Sequence, residues 1–360
     1  MAFIEKLDWN ILQQYIDNNL IICNKHPNYD IWVLCYSPKV TYKNFWDDYT
    51  STCRGLVIDE KGNILARPFL KFHRIENYDV NDINFSQEYD IFEKLDGSLI
   101  IMFYYEPRME WITLTKKSFI TEQAQEAKKI LNLKPNIYEV FDKKCTYCFE
   151  IIYPENKIVV DYGELRDLFL LSRIVTESGF ELYYDDLADI YSKHIGVVKR
   201  YKFNNINNLY ELKKFEENNK EGFVVRFLNG FRVKIKFNQY IKQHAFITNV
   251  STITIWELLR NNYDIDCFFE QIPDETHVWC EKIINQLKND FYFIERIALK
   301  EFVDIIYHKK IINRKDFANI ALKSDYRKIL FNIYNNFTYD KLIWNMIKPK
   351  NIKYFNNIVE

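Results

Sequence analysis

The sequence predicts an α+β protein in two parts: residues 1–244 form antiparallel sheets and helices, and residues 245–360 form an all-α domain. In the first part, short apolar segments alternate with turn residues, as in "EGFVVRFLNGFRVKIKF", where Asn229-Gly230 supplies a hairpin turn. In the second part, apolar residues recur every three or four positions between 284 and 305, which is the periodicity of a helix. A chain of 360 residues is long enough for two such domains.

Each element of the first part follows from its local pattern. Helical spacing of apolar residues predicts helices at 8–22 and at 121–133, the second one capped by Thr121. Strands are predicted where apolar and β-branched residues cluster between turn residues. The predicted strand segments are 29–38, a hairpin of 56–59 with 64–72, a pair of 89–105 with 109–119, a strand-turn-strand unit at 146–162, and a hairpin within 221–240.

Composition and charge narrow the class of protein. The chain carries 49 Lys and Arg against 50 Asp and Glu, a net charge of −1, so a polyanion partner would need locally clustered cations. The seven cysteines are an odd number in a chain without a leader pattern. They indicate reduced thiols and a cytoplasmic location, which for a viral protein would be the host cytoplasm. No apolar run approaches the length of a membrane span, so no membrane partner is expected.

The segment "EKLDGSLIIMF" (93–103) places Lys94 at the mouth of an apolar strand. Asp96 follows two residues later, and residues two apart in an extended segment face the same way. Gly97 would allow a ligand to approach the backbone closely. Two interpretations stay open at this motif: a solvated lysine beside an Asp-Gly turn, or a lysine nucleophile whose neutral amine is favoured by burial or by nearby cations.

The strand "RVKIKF" supplies such cations. Arg232, Lys234 and Lys236 alternate with apolar residues and so share one face of the strand. Three like charges in a row predict a bound polyanion such as the phosphates of a nucleotide, although lysines that protect an exposed sheet edge give the same pattern. Glu221 could hold a divalent ion beside phosphates, and Glu150 stands between apolar residues where packing does not require an acid.

Taken in order along the chain, these motifs resemble those of the RNA ligase 1 family, known from phages, within the covalent nucleotidyltransferase superfamily. The segments are "CRGLVIDE", "ARPFLKF", "KLDGSL", "SFITEQA", "FEIIYPENKIVV", "EGFVV" and "VKIKFNQY", and the resemblance is strong to about residue 244. It implies an N-terminal nucleotidyltransferase domain of the ATP-grasp-like ligase type (1–244), in which adenylylation takes place, and a helical domain (245–360) that selects the RNA substrate.

The resemblance also implies an activity and its site residues. The protein would be an ATP-dependent RNA ligase that joins 5′-phosphate and 3′-hydroxyl ends through lysyl-AMP and RNA-adenylate, with ATP and Mg²⁺ or Mn²⁺ as cofactors. The implied catalytic residues are Lys94, Lys116, Glu221, Lys234 and Lys236. The implied nucleotide contacts are Tyr36, Arg54, Lys71, Lys94, Glu150, Leu170, Lys234 and Lys236. The implied metal ligands are Glu221 and Asp266.

The expected partner is an RNA that carries both ends, for example a tRNA nicked in the anticodon loop, in RNA or tRNA repair. A separate kinase or phosphatase could prepare those ends, and the ligase itself is expected to be a monomer. DNA ligases and mRNA-capping guanylyltransferases remain alternatives, although many carry an arginine where this chain has Leu99, and they continue with an OB-fold where this sequence is helical. A catalytically inactive RNA-binding module is the alternative from another class.

Two further patterns have simpler interpretations. Cys145-x-x-Cys148 lacks a second Cys or His pair at the spacing of a zinc site. The basic segment "HKKIINRK" (308–315) is typical of a solvated helix face, with a contact to RNA backbone as the alternative.

Overall fold

The computed structural model describes residues 4, 6–78, 83, 87–203, 206, 208–272, 276–308 and 313–354. The chain divides into two compact units, Met1–His244 and Ala245–Glu360. Half of the basic segment at 308–315, residues 309–312, lies outside the described residues. Among the described helices, none combines the length and the apolar character needed to cross a bilayer.

The strands lie in the first unit. In chain order they are β1 (Ile21–Lys25), β2 (Ile31–Tyr36), β3 (Arg54–Asp59), β4 (Ile64–Ala66), β5 (His73–Arg74), β6 (Tyr89–Lys94), β7 (Ser98–Tyr105), β8 (Glu110–Thr115), β9 (Cys145–Ile152), β10 (Asp167–Val175), β11 (Gly196–Val197), β12 (Arg200–Tyr201), β13 (Gly222–Phe227) and β14 (Arg232–Lys236).

Helices occur in both units. The first unit contains α1 (Trp9–Asp17), α2 (Pro38–Tyr42), α3 (Asp48–Thr52), α4 (Glu122–Asn132), α5 (Ile137–Val140) and α6 (Tyr184–Tyr191), and α7 (Asn238–Thr248) includes the boundary. The second unit contains α8 (Thr252–Arg260), α9 (Ile265–Gln271), α10 (His277–Val303), α11 (Arg314–Ala321), α12 (Arg327–Tyr334) and α13 (Asp340–Met346). The described elements after β14 are thus helices, as the periodicity predicts, with one isolated bridge between Ser251 and Lys353.

Helix α4 shows how the local sequence sets its own bounds. The side chain of Thr121 accepts a hydrogen bond from the backbone N–H of Ala124 at 3.3 Å and caps the helix, as predicted. Ala124, Ala127, Ile130 and Leu131 recur at helical spacing and are buried. The helix therefore packs one apolar face against the protein and exposes its lysines, Lys128 and Lys129.

Three sheets organise the described strands of the first unit. Sheet A has the order β1-β2-β3-β4, sheet B the order β11-β10-β9-β7-β8, and sheet C the order β12-β6-β13-β14-β5. Pairing is antiparallel except for β10 with β11 and β14 with β5. The predicted hairpin of β13 and β14 is confirmed, since Val224 pairs with Lys234.

Sheet B lies at the centre of the packing. One of its faces contributes Ile100, Phe149 and Leu170 to a hydrophobic cluster with residues of α4 and α6. Its other face meets sheet A through Ile101, Phe103 and Leu114, and meets sheet C in a small cluster of Phe92, Leu95, Ile152 and Val198. Sheet B is therefore covered on both faces, and polar residues that remain between sheets B and C need a specific explanation.

The structure corrects four element predictions. The strand predicted at 64–72 ends at Ala66, and residues 67–72 form no strand. The segment 89–105 is two strands in different sheets, because β6 pairs with β13 in sheet C while β7 pairs with β8 and β9 in sheet B. The helix predicted at 8–22 ends at Asp17, and residues Ile21–Lys25 form β1 instead. The second strand of the predicted unit at 146–162 does not form, since 157–162 is a loop.

Candidate active site

The segment Lys94 to Ser98 is the crossover between two sheets. Lys94 is the last residue of β6 in sheet C, and Ser98 is the first residue of β7 in sheet B. Gly222 on β13 is the Cα partner of Lys94 on one side and of Lys236 on the other. The three strands therefore bring two lysines that are 142 positions apart in sequence to the same level of sheet C.

Glu221 binds both of these lysines. Its Oε2 atom lies 2.8 Å from Lys94 Nζ, and its Oε1 atom lies 3.0 Å from Lys236 Nζ. The side chain of Glu221 is 3% exposed and that of Lys94 is 21% exposed, so the nucleophile candidate retains access to solvent while its partner does not. Burial alone would raise the pKa of Glu221, but the ammonium groups of Lys94 and Lys236 outweigh burial and lower the pKa. The carboxylate is therefore held ionised.

Gly222 makes this arrangement sterically feasible. Its φ of +145° is uncommon for residues with a side chain, and an added Cβ would collide with the carbonyl oxygen of Ile235 and lie 3.0 Å from Cα of Lys236. The backbone N–H of Phe237 donates to the carbonyl of Glu221 at 2.9 Å and closes the ladder beyond Gly222. The "EG" pair thus positions Glu221 beside Lys236.

Asp96 makes contacts that the sequence pattern does not predict. Its carboxylate accepts hydrogen bonds from the backbone N–H groups of Val159 and Val160, both at 2.9 Å, and from Tyr240 Oη at 2.7 Å. It is buried, and its own N–H donates to Tyr162 Oη at 2.9 Å. Asp96 therefore anchors the crossover to the loop after β9 and to α7, and does not present its carboxylate alongside Lys94.

Gly97 is needed for packing against β9. A Cβ at this position would collide with the carbonyl oxygen of Ile151 and lie 3.1 Å from Cγ of Glu150. The N–H of Gly97 donates to Glu150 Oε1 at 3.2 Å. The close approach made possible by Gly97 is thus with strand β9, which brings Glu150 next to the crossover, and ligand approach is not required to explain the glycine.

Glu150 is a partly exposed acid between apolar neighbours on β9. Desolvation of its carboxyl group raises the pKa to about 7, and the nearby charge of Glu221 acts in the same direction. Lys94 and Arg54 oppose this rise without cancelling it. Glu150 therefore lies within the electrostatic reach of three other predicted site residues and titrates near neutral pH.

Arg54 opens β3 and lies against aromatic rings. Its guanidinium carbon is 4.9 Å from the ring centroid of Phe69 and 5.7 Å from that of Phe72. Its Nη1 atom is buried and has no hydrogen-bond partner in the part of the chain that the structure describes. A buried guanidinium nitrogen left unsatisfied is well suited to an anionic or polar ligand, which fits the nucleotide contact expected of Arg54.

Tyr36, Lys71 and Lys116 form a second group. Lys71 is buried, its Nζ donates to Tyr36 Oη at 3.1 Å, and it lies 4.8 Å from the Tyr36 ring centroid. Trp46 adds a second ring 5.3 Å from the same ammonium, a contact that sequence reasoning missed because Trp46 lies in a loop without a recognised motif. Lys116 is exposed and lies 6.0 Å from the Tyr36 ring.

The three cations of β14 do not act alike. Arg232 is buried and binds Glu181, while its guanidinium carbon lies 4.8 Å from the Phe69 ring. Lys236 is buried beside Glu221, and Lys234 is partly exposed. The expectation of three cations available to one polyanion is thus corrected for Arg232, because an internal carboxylate binds it.

The structure does not bring Leu170 to this site. Leu170 pairs with Phe149, whose side chain lies on the face of sheet B opposite to Glu150, and it is fully buried among residues of α4 and α6. Its neighbour Leu171 packs with Phe69 and Cys148 and with Phe92 and Leu95 instead. Because neighbouring strand residues face opposite ways, an error of one position selects the wrong face, and Leu171 takes the place of Leu170 as the apolar candidate.

The metal ligands expected at Glu221 and Asp266 lie in different units. Asp266 is in the first turn of α9, where its backbone N–H donates to Asp264 Oδ1 at 2.9 Å. Among the described residues, no group of three or more His, Cys, Asp and Glu side chains is arranged to hold a metal ion, and Cys145 and Cys148 are buried free thiols. Both carboxylate oxygens of Glu221 contact lysines, so a Mg²⁺ or Mn²⁺ ion there would be bound mainly through phosphate oxygens, and Glu221 stays the metal ligand predicted in the first unit.

A known protein shares this architecture. An archaeal ATP-dependent RNA ligase superposes with a TM-score of 0.50 at 12% identity, over 81% of this chain and 80% of that chain. A second archaeal structure gives a TM-score of 0.48 at 13% identity, over 77% and 75%. The RNA ligase of Naegleria gruberi with PPi gives 0.42 at 16% identity, over 49% of this chain and 58% of that chain. The chain thus spans about 58% of the length of the Naegleria ligase it matches, and at such identities the likeness concerns the fold alone.

Sequence comparison shows to which family this chain belongs. A family model described as RNA ligase matches residues 52–240, which is more than half of the chain. The matched segment begins two residues before Arg54 and ends at Tyr240, so it contains Lys94, Glu150 and the Glu221 contacts. This chain belongs to the RNA ligase family.

Proposed function

We propose that this protein is an ATP-dependent RNA ligase that forms lysyl-AMP at Lys94 and joins 5′-phosphate to 3′-hydroxyl RNA ends. One observation carries the proposal: in a chain of the RNA ligase family, Lys94 and Lys236 converge on the buried carboxylate of Glu221 at the crossover from β6 to β7. A solvated turn lysine, the alternative interpretation of this motif, does not require a buried carboxylate shared with a second lysine.

In the first step the neutral amine of Lys94 attacks the α-phosphorus of ATP. A phosphorus–nitrogen bond forms, the bond from the α-phosphorus to the oxygen that bridges to the β-phosphate breaks, and the nitrogen loses a proton as pyrophosphate leaves. Glu221 holds Nζ of Lys94 in one place before the nucleotide arrives, and such positioning is a major part of phosphoryl-transfer catalysis.

The other site residues supply charge and contacts. Lys236 and Lys234 lie on β14, which is separated from the strand of Lys94, β6, by β13. These two lysines would bind the phosphates, together with Arg54 and Lys71. Tyr36 would contact the nucleotide through its hydroxyl group, Lys116 would support catalysis, and Glu150 would contact the ribose. A divalent ion at Glu221 would screen the negative charge of the phosphates. Asp266 stays a separately predicted metal ligand of the helical domain.

Two further transfers complete the reaction. An oxygen of the RNA 5′-phosphate attacks the phosphorus of lysyl-AMP, the phosphorus–nitrogen bond breaks, and the amine of Lys94 takes up a proton. A 3′-hydroxyl oxygen then attacks the RNA 5′-phosphorus, a phosphodiester bond forms, AMP leaves, and the hydroxyl proton is released. The RNA is proposed to be a broken strand such as a tRNA nicked in its anticodon loop, with a separate kinase or phosphatase to prepare the ends, and the enzyme is proposed to act as a cytoplasmic monomer.

An adduct assay with labelled nucleotide tests the first step. The protein is incubated with ATP or GTP labelled at the α-phosphate in the presence of Mg²⁺, and covalent label is measured after denaturation. We expect an adduct with ATP that pyrophosphate reverses. An adduct formed with GTP and not with ATP would favour the capping-type guanylyltransferase, and a protein that binds RNA without any adduct would favour the inactive module.

A sealing assay tests the substrate. A single-stranded RNA with a 5′-phosphate and a 3′-hydroxyl is compared with the same RNA lacking the 5′-phosphate and with a nicked DNA duplex. We expect circular or joined product from the phosphorylated RNA alone. Joining confined to the DNA duplex would replace the proposed activity with that of a DNA ligase.

A further inference from the structure

A row of aromatic side chains starts at the predicted nucleotide contact Tyr36 and continues away from it. We call this row the aromatic ridge, and its members are Tyr36, Trp46, His73, Tyr78 and Phe231. Successive ring centroids are 5.0, 4.7, 6.1 and 5.3 Å apart, each pair in an edge-to-face arrangement. Tyr36 is buried, and the other four residues keep part of their surface exposed. The ridge thus connects the end of β2 in sheet A with the turn before β14 in sheet C.

Cations lie along the same row. Lys71 Nζ is within 4.8 Å of the Tyr36 ring centroid and 5.3 Å of the Trp46 ring centroid, and Lys116 Nζ lies 6.0 Å from the Tyr36 ring. Further along, His73 pairs with Val233, and the next residue, Arg74, pairs with Lys234. One acid is close to this end, since Glu76 binds Arg74 at 3.2 Å.

Aromatic rings interleaved with cations are the usual chemistry of single-stranded nucleic-acid binding, because bases stack on the rings while cations contact the backbone. Trp46 packs on the cluster of Cys35, Tyr36 and Val40, and Tyr78 and Phe231 pack on the apolar core of sheet C. All three, like His73, nevertheless keep part of their surface exposed. Phe45, next to Trp46, is 47% exposed and adds apolar surface at the start of the ridge. The ridge therefore has both the composition and the accessibility of a stacking surface.

The geometry of the reaction indicates which RNA end would bind at the aromatic ridge. In an in-line displacement, Lys94 and the departing pyrophosphate lie on opposite sides of the α-phosphorus. The RNA 5′-phosphate that later displaces Lys94 must therefore approach from the side that pyrophosphate left. Tyr36 and Lys71, which begin the ridge, are proposed nucleotide contacts separate from the lysines that bind Glu221. The proposal therefore assigns the ridge to the side that pyrophosphate leaves, where a strand would present its 5′ end.

We propose that the aromatic ridge binds the first unpaired bases of the 5′-phosphorylated RNA strand and that Trp46 is its main stacking platform. This inference rests on the proposed function for the identity of the strand and adds a binding site to it. Trp46 is central because its ring contacts both Tyr36 and His73 and also lies against Lys71.

Direct binding is the first test, because it does not depend on catalysis. A fluorescently labelled, 5′-phosphorylated single-stranded RNA of about twelve nucleotides is titrated with the full chain at fixed ionic strength, and anisotropy is followed. We expect Trp46→Leu to weaken binding about tenfold and Trp46→Phe, which keeps a ring, to weaken it less than about threefold. His73→Leu provides a second test should Trp46→Leu fail to fold, and thermal unfolding of each variant is recorded.

Trp32→Leu is the matched control. Trp32 lies on β2 in the same sheet as Tyr36, packs edge-to-face on Trp9 at 5.4 Å, and has Lys25 Nζ 5.4 Å from its ring, but it is not part of the ridge. We expect this variant to bind RNA as the wild type does. Equal affinities for Trp46→Leu and the wild type, or equal losses for Trp46→Leu and Trp32→Leu, would overturn the proposal.

A kinetic comparison separates this inference from the proposed function. With protein already converted to lysyl-AMP, AMP transfer is measured to the RNA and to a nucleoside 3′,5′-bisphosphate, which offers one base only. We expect Trp46→Leu to raise the half-saturating concentration more for the RNA than for the bisphosphate. A change confined to the ATP concentration needed for adduct formation would show that Trp46 only holds Lys71, and would overturn the RNA site. If the wild type forms no adduct, the proposed function fails, and the anisotropy titration still decides whether the ridge binds RNA.

Discussion

Cations at the candidate active site are held by two different kinds of partner. Lys94 and Lys236 are bound by the carboxylate of Glu221, which is almost completely buried. Arg54 lies instead against the rings of Phe69 and Phe72, with Nη1 unsatisfied in the described part of the chain. Charge thus holds Lys94 and Lys236, whereas aromatic faces hold Arg54.

The difference has consequences for stability and for ligand binding. A buried ion pair fixes the position of its members, but removal of one partner leaves the other charge uncompensated and costs about 3–5 kcal/mol. A cation on an aromatic face gains about 0.5–2 kcal/mol, and the ring leaves the cation's N–H groups to other acceptors. We therefore expect the Glu221 group to be sensitive in both folding and catalysis, and Arg54 to be sensitive mainly in ligand binding.

The largest effect is expected for Lys94→Ala. This variant removes the nucleophile, so the adduct with labelled ATP should be lost completely. Glu221 keeps its contact with Lys236, so the variant should still fold, which circular dichroism and thermal unfolding can check. Label that persists on Lys94→Ala would show that another residue is the nucleophile. The contacts of Glu221 would then have no direct part in adduct formation.

Glu221→Ala is the next largest change and acts on folding as well as on catalysis. It leaves Lys236, which is 8% exposed at its side chain, without its carboxylate partner, and we expect a loss of about 3 kcal/mol in the free energy of unfolding. Adduct formation should fall about a hundredfold or more, because two cations lose their fixed positions. Urea unfolding and the adduct rate measure the two effects.

Glu217→Ala is the matched control for that change. Glu217 binds Lys220 at 2.7 Å, but its side chain is 55% exposed, and exposed ion pairs contribute at most about 1 kcal/mol. The control should therefore unfold within about 0.5 kcal/mol of the wild type. Similar losses for both variants would mean that burial of the Glu221 contacts is not what makes them important.

Sequence patterns predicted the strand-rich first unit, the helical second unit and the pairing of β13 with β14, because apolar periodicity and turn residues are local. They did not predict that Lys94 ends a strand of sheet C while Ser98 begins one of sheet B, because sheet membership depends on pairing partners distant in sequence. The loop at 157–162 was predicted as a strand for its β-branched residues, yet its N–H groups at Val159 and Val160 bond to Asp96.

At the candidate site, too, contacts between residues distant in sequence could not be predicted. The separate motifs of Lys94, Glu221 and Lys236 could be found in the sequence, and the alternation in β14 predicted that Lys236 shares a strand face with Arg232 and Lys234. The partners of Arg232 and Asp96 could not be found, because Glu181 and Tyr240 reach them only after the sheets have packed. Leu171 was missed for another reason: the register of β10 shifts between Leu170 and Ser172, and a shift of one residue reverses the face of a strand.

Arg54→Met tests the role of the cation that lies against aromatic rings. The variant keeps an apolar stem against Phe69 and Phe72 and removes a buried N–H that has no partner in the described structure. We expect the free energy of unfolding to change by less than about 1 kcal/mol, and the ATP concentration for half-maximal adduct formation to rise about tenfold. A loss of stability as large as that of Glu221→Ala would mean that Arg54 matters for folding as much as the ion pairs of Glu221 do.

The smallest effect concerns Glu150 and the pH dependence of stability. Desolvation raises its pKa in the folded protein to about 7, above the ordinary value of a glutamate, so between those two values the folded protein holds more protons than the unfolded chain. Stability must then decrease as the pH rises through this window, and we expect a loss of about 1 kcal/mol between about pH 5 and about pH 8, since partial exposure screens the carboxyl group. Glu150→Gln cannot ionise, and urea unfolding of this variant should lose that component. An unchanged slope in Glu150→Gln would assign the pH dependence to other groups, and would indicate that Lys94 and Arg54 already stabilise the charged form of Glu150.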